Sequence, residues 1–214
     1  VHPVSDPSMT SDLFIFVLLS AILHAIWNFV ARRNTGNLTI FWWSLWISCV
    51  LLLPFVAGVA TTQGIHEFQV MLQTGAFFIL TTGLIHSFYF LLLARAYEHG
   101  EISVIYPVAR GSGIGLTGFL GWLLLGESLA LIGIIGICLI CFGILSMGAS
   151  VIRQKNFAKQ GFGSALGVGA TIVSYSLVDK VGVSFVHPIV YIFGMFLLSA
   201  ILSTPIVVLR DGGG

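Results

Sequence analysis

The residues best suited to chemistry lie in one short polar stretch, residues 96–113, between two long apolar runs. It contains Glu98, Glu101, Tyr106 and Arg110. A cation inside a membrane helix is costly, so Arg110 is expected to face a cavity or a partner. It could contact an anionic substrate group, pair with Glu98 or Glu101, or reach the interface by snorkelling. The two glutamates could carry a coupling proton if they were buried, or could be solvated turn residues.

Two further groups of polar and aromatic residues have helical spacing. His24, Trp27 and Asn28 share one face of the first apolar run at i, i+3 and i+4, and His86 and Tyr89 have the same i, i+3 spacing in the third run. Polar groups within lipid face the interior of a bundle or find partners there. These residues could therefore line a cavity that binds a substrate, or form interhelical hydrogen bonds that only hold the bundle together.

Five residues near the ends of apolar runs have either two alternative roles or an ordinary structural role. Tyr106 and Tyr175 could line the same cavity or lie in the aromatic belts at the membrane interface. Asp179 and Lys180 are adjacent and follow an apolar run, so we expect them to form a solvated helix end. Glu127 is expected to begin a helix, where a carboxylate interacts favourably with the helix dipole.

The composition places the chain in a membrane. Of its 214 residues 57% are hydrophobic and only 8% are charged, and the mean hydropathy is +1.03. Soluble domains contain about 25% charged residues. The lipid bilayer is therefore the expected partner of most of the surface. The net charge is +1, and the sequence contains no cluster of basic residues that would bind nucleic acid.

Seven apolar runs are long enough to cross a bilayer, which requires about 20 residues. We therefore predict an all-α integral membrane protein, a bundle of about seven transmembrane helices. A polar connector is predicted between the second and third spans, at residues 61–69. The predicted spans are 13–30, 38–59, 70–93, 102–126, 128–152, 161–178 and 185–209.

The distribution of Lys and Arg predicts the orientation of these spans. Connectors after odd-numbered spans contain seven such residues, whereas the other side contains only Lys180. Cytoplasmic loops are enriched in Lys and Arg. The basic segment 153–160 is therefore predicted to be a cytoplasmic-type connector, and the N-terminus to lie on the opposite side.

Glycines are concentrated in the fourth and fifth spans, where they include Gly111, Gly115 and Gly118. In lipid, small residues promote helix association because they allow close approach of the backbones. These two helices are expected to pack tightly against each other or against a second copy of the chain. A homodimer is one outcome of that pattern.

The sequence contains no recognisable metal, cofactor or catalytic site. The six histidines lack ligand spacing, and the pair Cys138 and Cys141 lies in apolar sequence where a metal or redox site is not expected. Neither a nucleophile-elbow motif nor an H-E-x-x-H motif occurs. We assign no catalytic residue, no metal and no cofactor, and expect that the protein is not an enzyme.

The first two spans and the last two spans have similar patterns. Residues 27–32 correspond to 175–180, and 48–56 correspond to 199–207, with one Ser and one Pro at matching positions in the second pair. Five spans separate the copies, so the second copy would enter the membrane from the opposite side. This predicts an inverted repeat, an arrangement of many secondary transporters.

Four motifs in order resemble those of EamA-type permeases of the drug/metabolite transporter superfamily: HAIWN at 24–28, YPVARG at 106–111, LLGE at 124–127 and YSLVDKVGV at 175–183. The resemblance implies ten helices in two five-helix repeats around a central cavity. It assigns 9–152 to the first repeat, 153–160 to a connector and 161–214 to the first two helices of the second. The last three helices would then be missing from this C-terminally truncated chain.

The predicted function is transport of a small organic metabolite by alternating access, in a multi-pass protein of the cell (inner) membrane. Aromatic and cationic candidate residues suggest a substrate with an apolar or aromatic part, with or without an anionic group. A non-transporting scaffold or a partner-dependent subunit is the main alternative. A membrane-embedded enzyme is a further alternative, which the absence of a carboxylate within an uncharged span disfavours.

Overall fold

The computed structural model describes residues 11–33, 37–99, 102–126, 128, 130–152 and 159–211. They form α-helices and turns and contain no strand, which confirms the all-α membrane fold. The seven helices are α1 (Ser11–Arg33), α2 (Leu38–Gln63), α3 (Ile65–His99), α4 (Ile102–Leu125), α5 (Leu131–Ile152), α6 (Lys159–Gly182) and α7 (Pro188–Asp211).

Four of these helices are long and apolar enough to cross a membrane over their described residues: Leu38–Gln63, Ile65–His99, Gly161–Gly182 and Pro188–Leu209. Shorter apolar stretches lie in α1, at Phe14–Leu23, and in α5, at Leu131–Ile144. The helix α4, which has 24 residues, carries Arg110, Pro107 and several glycines.

The boundary between α2 and α3 differs from the prediction. No polar connector occupies residues 61–69, because α2 continues to Gln63 and α3 begins at Ile65. The helix ends at Gly64, which has a φ of 87° and whose N–H donates to the carbonyl oxygen of Ala60 at 3.1 Å. With a ψ of 151°, Gly64 has a backbone conformation that is essentially confined to glycine, because other residues have a Cβ that clashes there. One glycine therefore makes the turn for which a connector of nine residues, 61–69, was predicted.

The helices fall into two compact units. The unit that ends at residue 35 contains α1, a single helix of 23 residues with its apolar stretch in the first half. The second unit begins at residue 36 and contains α2 to α7.

Within the second unit, α7 packs against α2 and α3. The indole Nε1 of Trp42, near the start of α2, donates to Thr204 near the end of α7 at 2.9 Å, whereas Val59 near the end of α2 packs on Val190 at the start of α7. These contacts make α2 and α7 antiparallel. Ser199 Oγ of α7 also donates to the carbonyl oxygen of Gly83 in α3 at 3.1 Å.

The helix α6 packs against α3 and α4, and α5 packs against α4. A Cβ built on Gly111 would lie 3.1 Å from Ile144 Cδ1, and one built on Gly118 would lie 3.3 Å from Ile137 Cδ1. These close approaches confirm the expected packing of α4 against α5 through small residues. Gly136 of α5 has nothing within 4 Å of such a Cβ, so this glycine does not serve the interface.

Candidate functional site

An aromatic cluster forms where α3 meets α6. The ring of His86 stacks on Tyr175, with 4.2 Å between centroids and 29° between planes. Tyr89 meets Tyr175 edge-on at 6.0 Å and also contacts Phe90 at 5.1 Å. His86 is buried, while the two tyrosines are half-buried. Three predicted site residues, on two different helices, are therefore in contact.

The neighbouring helix α4 contributes a cation to the same region. The guanidinium carbon of Arg110 lies 5.9 Å from the ring centroid of Tyr106, within the range of a cation–π interaction. Arg110 is half-buried and interacts electrostatically with Tyr89 and Tyr175. The described part of the chain thus gathers five of the predicted residues where α3, α4 and α6 meet.

Asp179 is not a solvated helix end as predicted. It lies inside α6, which continues to Gly182, and its Oδ1 accepts a hydrogen bond from Thr82 of α3 at 2.5 Å. Tyr191 of α7 donates its hydroxyl hydrogen to the same oxygen at 2.8 Å. A carboxylate therefore does lie within an apolar span, contrary to our expectation. Two hydroxyl groups on two other helices satisfy it.

Asp179 is linked to the aromatic cluster through Thr82. Thr82 Oγ1 lies 3.2 Å from Nδ1 of His86, and the same nitrogen lies 2.9 Å from the backbone carbonyl oxygen of Thr82. Among the described residues, the hydrogen bonds of His86 are thus made with Thr82 of its own helix. The imidazole, the hydroxyl and the carboxylate form one chain of contacts.

Sequence reasoning missed Thr82, Asp179 and Tyr191 as members of this site. One local signal was available: Thr82 and His86 are separated by four residues, as are Tyr175 and Asp179, so each pair shares a helical face. Tyr191 carried no such signal, because its contact depends on how α7 packs after the turn that follows α6.

The remaining predicted residues lie elsewhere or outside the described part of the structure. The side chains of His24, Trp27 and Asn28, all on α1, lie outside the described residues, as does Glu101. Glu98 is exposed in the last turn of α3 and not in a connector. Glu127 also lies outside the described residues.

Two of the clefts that described residues form are lined by no predicted site residue. One of about 560 Å³ lies beside the turn after α6 and the start of α3, with Glu67, Met71 and Phe185 among its lining residues. The other, of about 360 Å³, lies between α4 and α5 and includes Phe119 and Trp122. The second is almost entirely apolar and opens between two membrane helices, as expected for a groove that contacts lipid.

Among the described residues, no group of three or more His, Cys, Asp or Glu side chains could hold a metal ion. Cys138 and Cys141 are both exposed on α5 as free thiols. The chemistry of the site is therefore that of aromatic stacking, one guanidinium, one imidazole and one carboxylate.

The comparison with protein families gives one match. The model of a family described as the EamA-like transporter family matches residues 13–149, which is more than half of the chain. This match confirms the resemblance to the family, and three of the four sequence motifs, at 24–28, 106–111 and 124–127, lie within it. No curated protein and no solved structure matches the chain.

Proposed function

Because the chain belongs to the EamA-like transporter family, we propose that it is a permease that moves a small organic molecule across a membrane by alternating access. Four described helices with the length and apolarity of membrane spans support this role. The proposed location is the cell (inner) membrane, which the chain would cross several times.

The proposed substrate has an aromatic part and an anionic group. The observation that carries this proposal is the position of Arg110, which lies 5.9 Å from the ring of Tyr106 and within electrostatic range of Tyr89 and Tyr175. A half-buried guanidinium favours a carboxylate, and the neighbouring rings offer faces and edges to an aromatic group. The rings and the guanidinium group belong to α3, α4 and α6, so a molecule bound to all of them would join these three helices.

A counterflow assay in liposomes tests this function, with radiolabelled benzoate as the probe. We expect benzoate to accumulate and the Arg110→Ala variant to lose uptake by roughly 10- to 100-fold, since a hydrogen bond to a charged group contributes about 1.5–3 kcal/mol. Arg95→Ala is the matched control, because Arg95 is an exposed arginine of α3. Its uptake should equal that of the parent chain.

Normal uptake by Arg110→Ala would contradict the assignment of Arg110 as the anion contact. Absence of counterflow for the parent chain with benzoate and with uncharged benzamide would contradict the permease function and favour the scaffold or partner-dependent subunit. Product formation without a gradient would instead indicate an enzyme.

The inverted repeat, with boundaries at 9–152, 153–160 and 161–214, is part of the same proposal. The antiparallel packing of α2 against α7 supports it, since these are the corresponding second helices of the two proposed copies. The coupling roles of Glu98 and Glu101, the cavity roles of His24, Trp27 and Asn28, and a homodimer stay predictions.

A further inference from the structure

The two ring nitrogens of His86 have different surroundings, which determine where the hydrogen of the neutral ring lies. Nδ1 is 2.9 Å from the backbone carbonyl oxygen of Thr82, and a carbonyl oxygen can only accept a hydrogen bond. Nδ1 must therefore carry the hydrogen. In a neutral imidazole the other nitrogen, Nε2, then has a free lone pair and acts as an acceptor.

The Thr82 hydroxyl group reinforces this arrangement. A hydroxyl has one hydrogen, and that of Thr82 is donated to Asp179 Oδ1 at 2.5 Å. The hydroxyl oxygen therefore presents a lone pair, and not a hydrogen, to Nδ1 of His86 at 3.2 Å. Asp179 thus acts on His86 indirectly, because it determines the direction in which the Thr82 hydroxyl donates.

The acceptor nitrogen Nε2 lies in the aromatic cluster and makes no hydrogen bond within the described part of the chain. The ring is only 8% exposed and stacks on Tyr175 at 4.2 Å, with Tyr89 at 6.1 Å. Among the described residues, Trp46 Nε1 is the fully buried side-chain nitrogen or oxygen atom that lacks a hydrogen-bond partner. Nε2 of His86, which also has no partner there, is therefore not fully enclosed, and a donor can approach it. A hydrogen-bond donor brought by a bound molecule would satisfy it.

We propose that His86 Nε2 accepts a hydrogen bond from the transported molecule and that Asp179 is the positioning residue that fixes this state of His86 through Thr82. The inference rests on the proposed function and narrows its substrate class. The substrate would be an aromatic anion that also carries an O–H or N–H donor, with Arg110 facing the anionic group and His86 facing the donor.

The ring nitrogen of His86 that carries the hydrogen can be identified without any ligand. The full chain is labelled with ¹⁵N-histidine in detergent micelles, and the His86 signals are identified by their loss in His86→Gln. We expect the neutral ring of the parent chain to carry its hydrogen on Nδ1. A ring that carries it on Nε2 would overturn the inference.

Variants of Asp179 separate positioning from a general structural role. In Asp179→Ala the Thr82 hydroxyl loses its acceptor and can donate to Nδ1, so a second population with hydrogen on Nε2 should appear. Asp179→Asn keeps an oxygen acceptor and should restore the single parent signal. Identical ¹⁵N spectra for His86 in the parent chain and in Asp179→Ala would refute the positioning role.

A pair of ligands that differ in one donor tests recognition. We expect 4-hydroxybenzoate to bind about tenfold more tightly than 4-methoxybenzoate, which is the effect of one lost hydrogen bond. His86→Phe keeps a ring to stack on Tyr175 but removes the acceptor, so the two ligands should bind it equally. Equal binding to the parent chain would contradict the inference.

Phenol distinguishes a failure of this inference from a failure of the proposed function, because it has the donor and lacks the carboxylate. If neither 4-hydroxybenzoate nor 4-methoxybenzoate binds but phenol shifts the Nε2 signal of His86, the proposed anionic substrate class is wrong and the proposed acceptor role of Nε2 is supported. If none of these three ligands shifts that signal, the acceptor role of Nε2 is refuted, whatever the result of the counterflow assay.

Discussion

Replacement of Gly83 by alanine should weaken the packing of α3 against α7. A Cβ built on Gly83 would lie 2.6 Å from Leu198 Cδ2 and 2.8 Å from Leu198 Cβ. The Cδ2 methyl group can rotate away, but the position of a Cβ is fixed by its backbone. Carbon atoms in contact are separated by about 3.5–4.0 Å. The two helices must therefore move apart by roughly 1 Å at this point, given that separation.

The size of the effect follows from three contributions. Overpacking of a well-packed interface costs about 1–3 kcal/mol. The hydrogen bond from Ser199 Oγ to the carbonyl oxygen of Gly83, 3.1 Å long, would lengthen, and an interhelical hydrogen bond of this kind contributes about 0.6 kcal/mol. Alanine offsets this by about 1 kcal/mol, because it is the better helix former. The free energy of unfolding should fall by about 0.5–2.5 kcal/mol.

The matched control is Gly58→Ala in α2, where a new Cβ meets nothing within 4 Å. It gains the same helix propensity and should be as stable as the parent chain or slightly more stable. The assay is reversible unfolding in mixed detergent micelles, followed by circular dichroism. If Gly83→Ala proves as stable as Gly58→Ala, the close approach of α3 and α7 at Leu198 is refuted.

Two further comparisons test the packing of α2 and α4. Gly118→Leu should separate α4 from α5 and lower the thermal midpoint in detergent, whereas Gly136→Leu should leave the midpoint unchanged because that glycine faces open space; equal midpoints would count against the α4–α5 contact. Trp42→Phe removes the hydrogen bond to Thr204 and should cost about 0.5–1.5 kcal/mol of stability. Trp46→Phe should cost less than Trp42→Phe, because the buried Nε1 of Trp46 has no hydrogen-bond partner in the described structure; the opposite order would contradict this account.

The helices were predictable from the sequence where hydrophobicity alone determines them. Apolar runs identified all seven, because a helix in lipid must satisfy its backbone internally and so extends through the whole apolar run. The prediction was wrong at the α2–α3 boundary, where polarity was used to place a connector. A helix can extend beyond the lipid into water, where polar side chains are favourable, so polarity does not mark its end. The end of α2 is instead at Gly64, which has a φ of 87°.

The site was predictable only in part, for a different physical reason. Local spacing identified His86 and Tyr89, and the polar stretch identified Arg110, because each of these signals lies within one helix. The partners of Asp179 lie 97 and 12 residues away along the chain, at Thr82 and Tyr191. Such pairs are created by the packing of three helices, which hydropathy does not encode.

The Asp179 carboxylate connects the packing of the bundle to its proposed function. Its Oδ1 accepts from α3 and from α7 at the same time, so movement of α6 away from either helix would break a hydrogen bond to a charged group. Such bonds contribute about 1.5–3 kcal/mol each, more than the interhelical hydrogen bonds between neutral groups. We therefore expect α3, α6 and α7 to keep their mutual arrangement during transport. The rearrangement that opens the site would then involve helices that do not contact Asp179, among them α4 with Arg110.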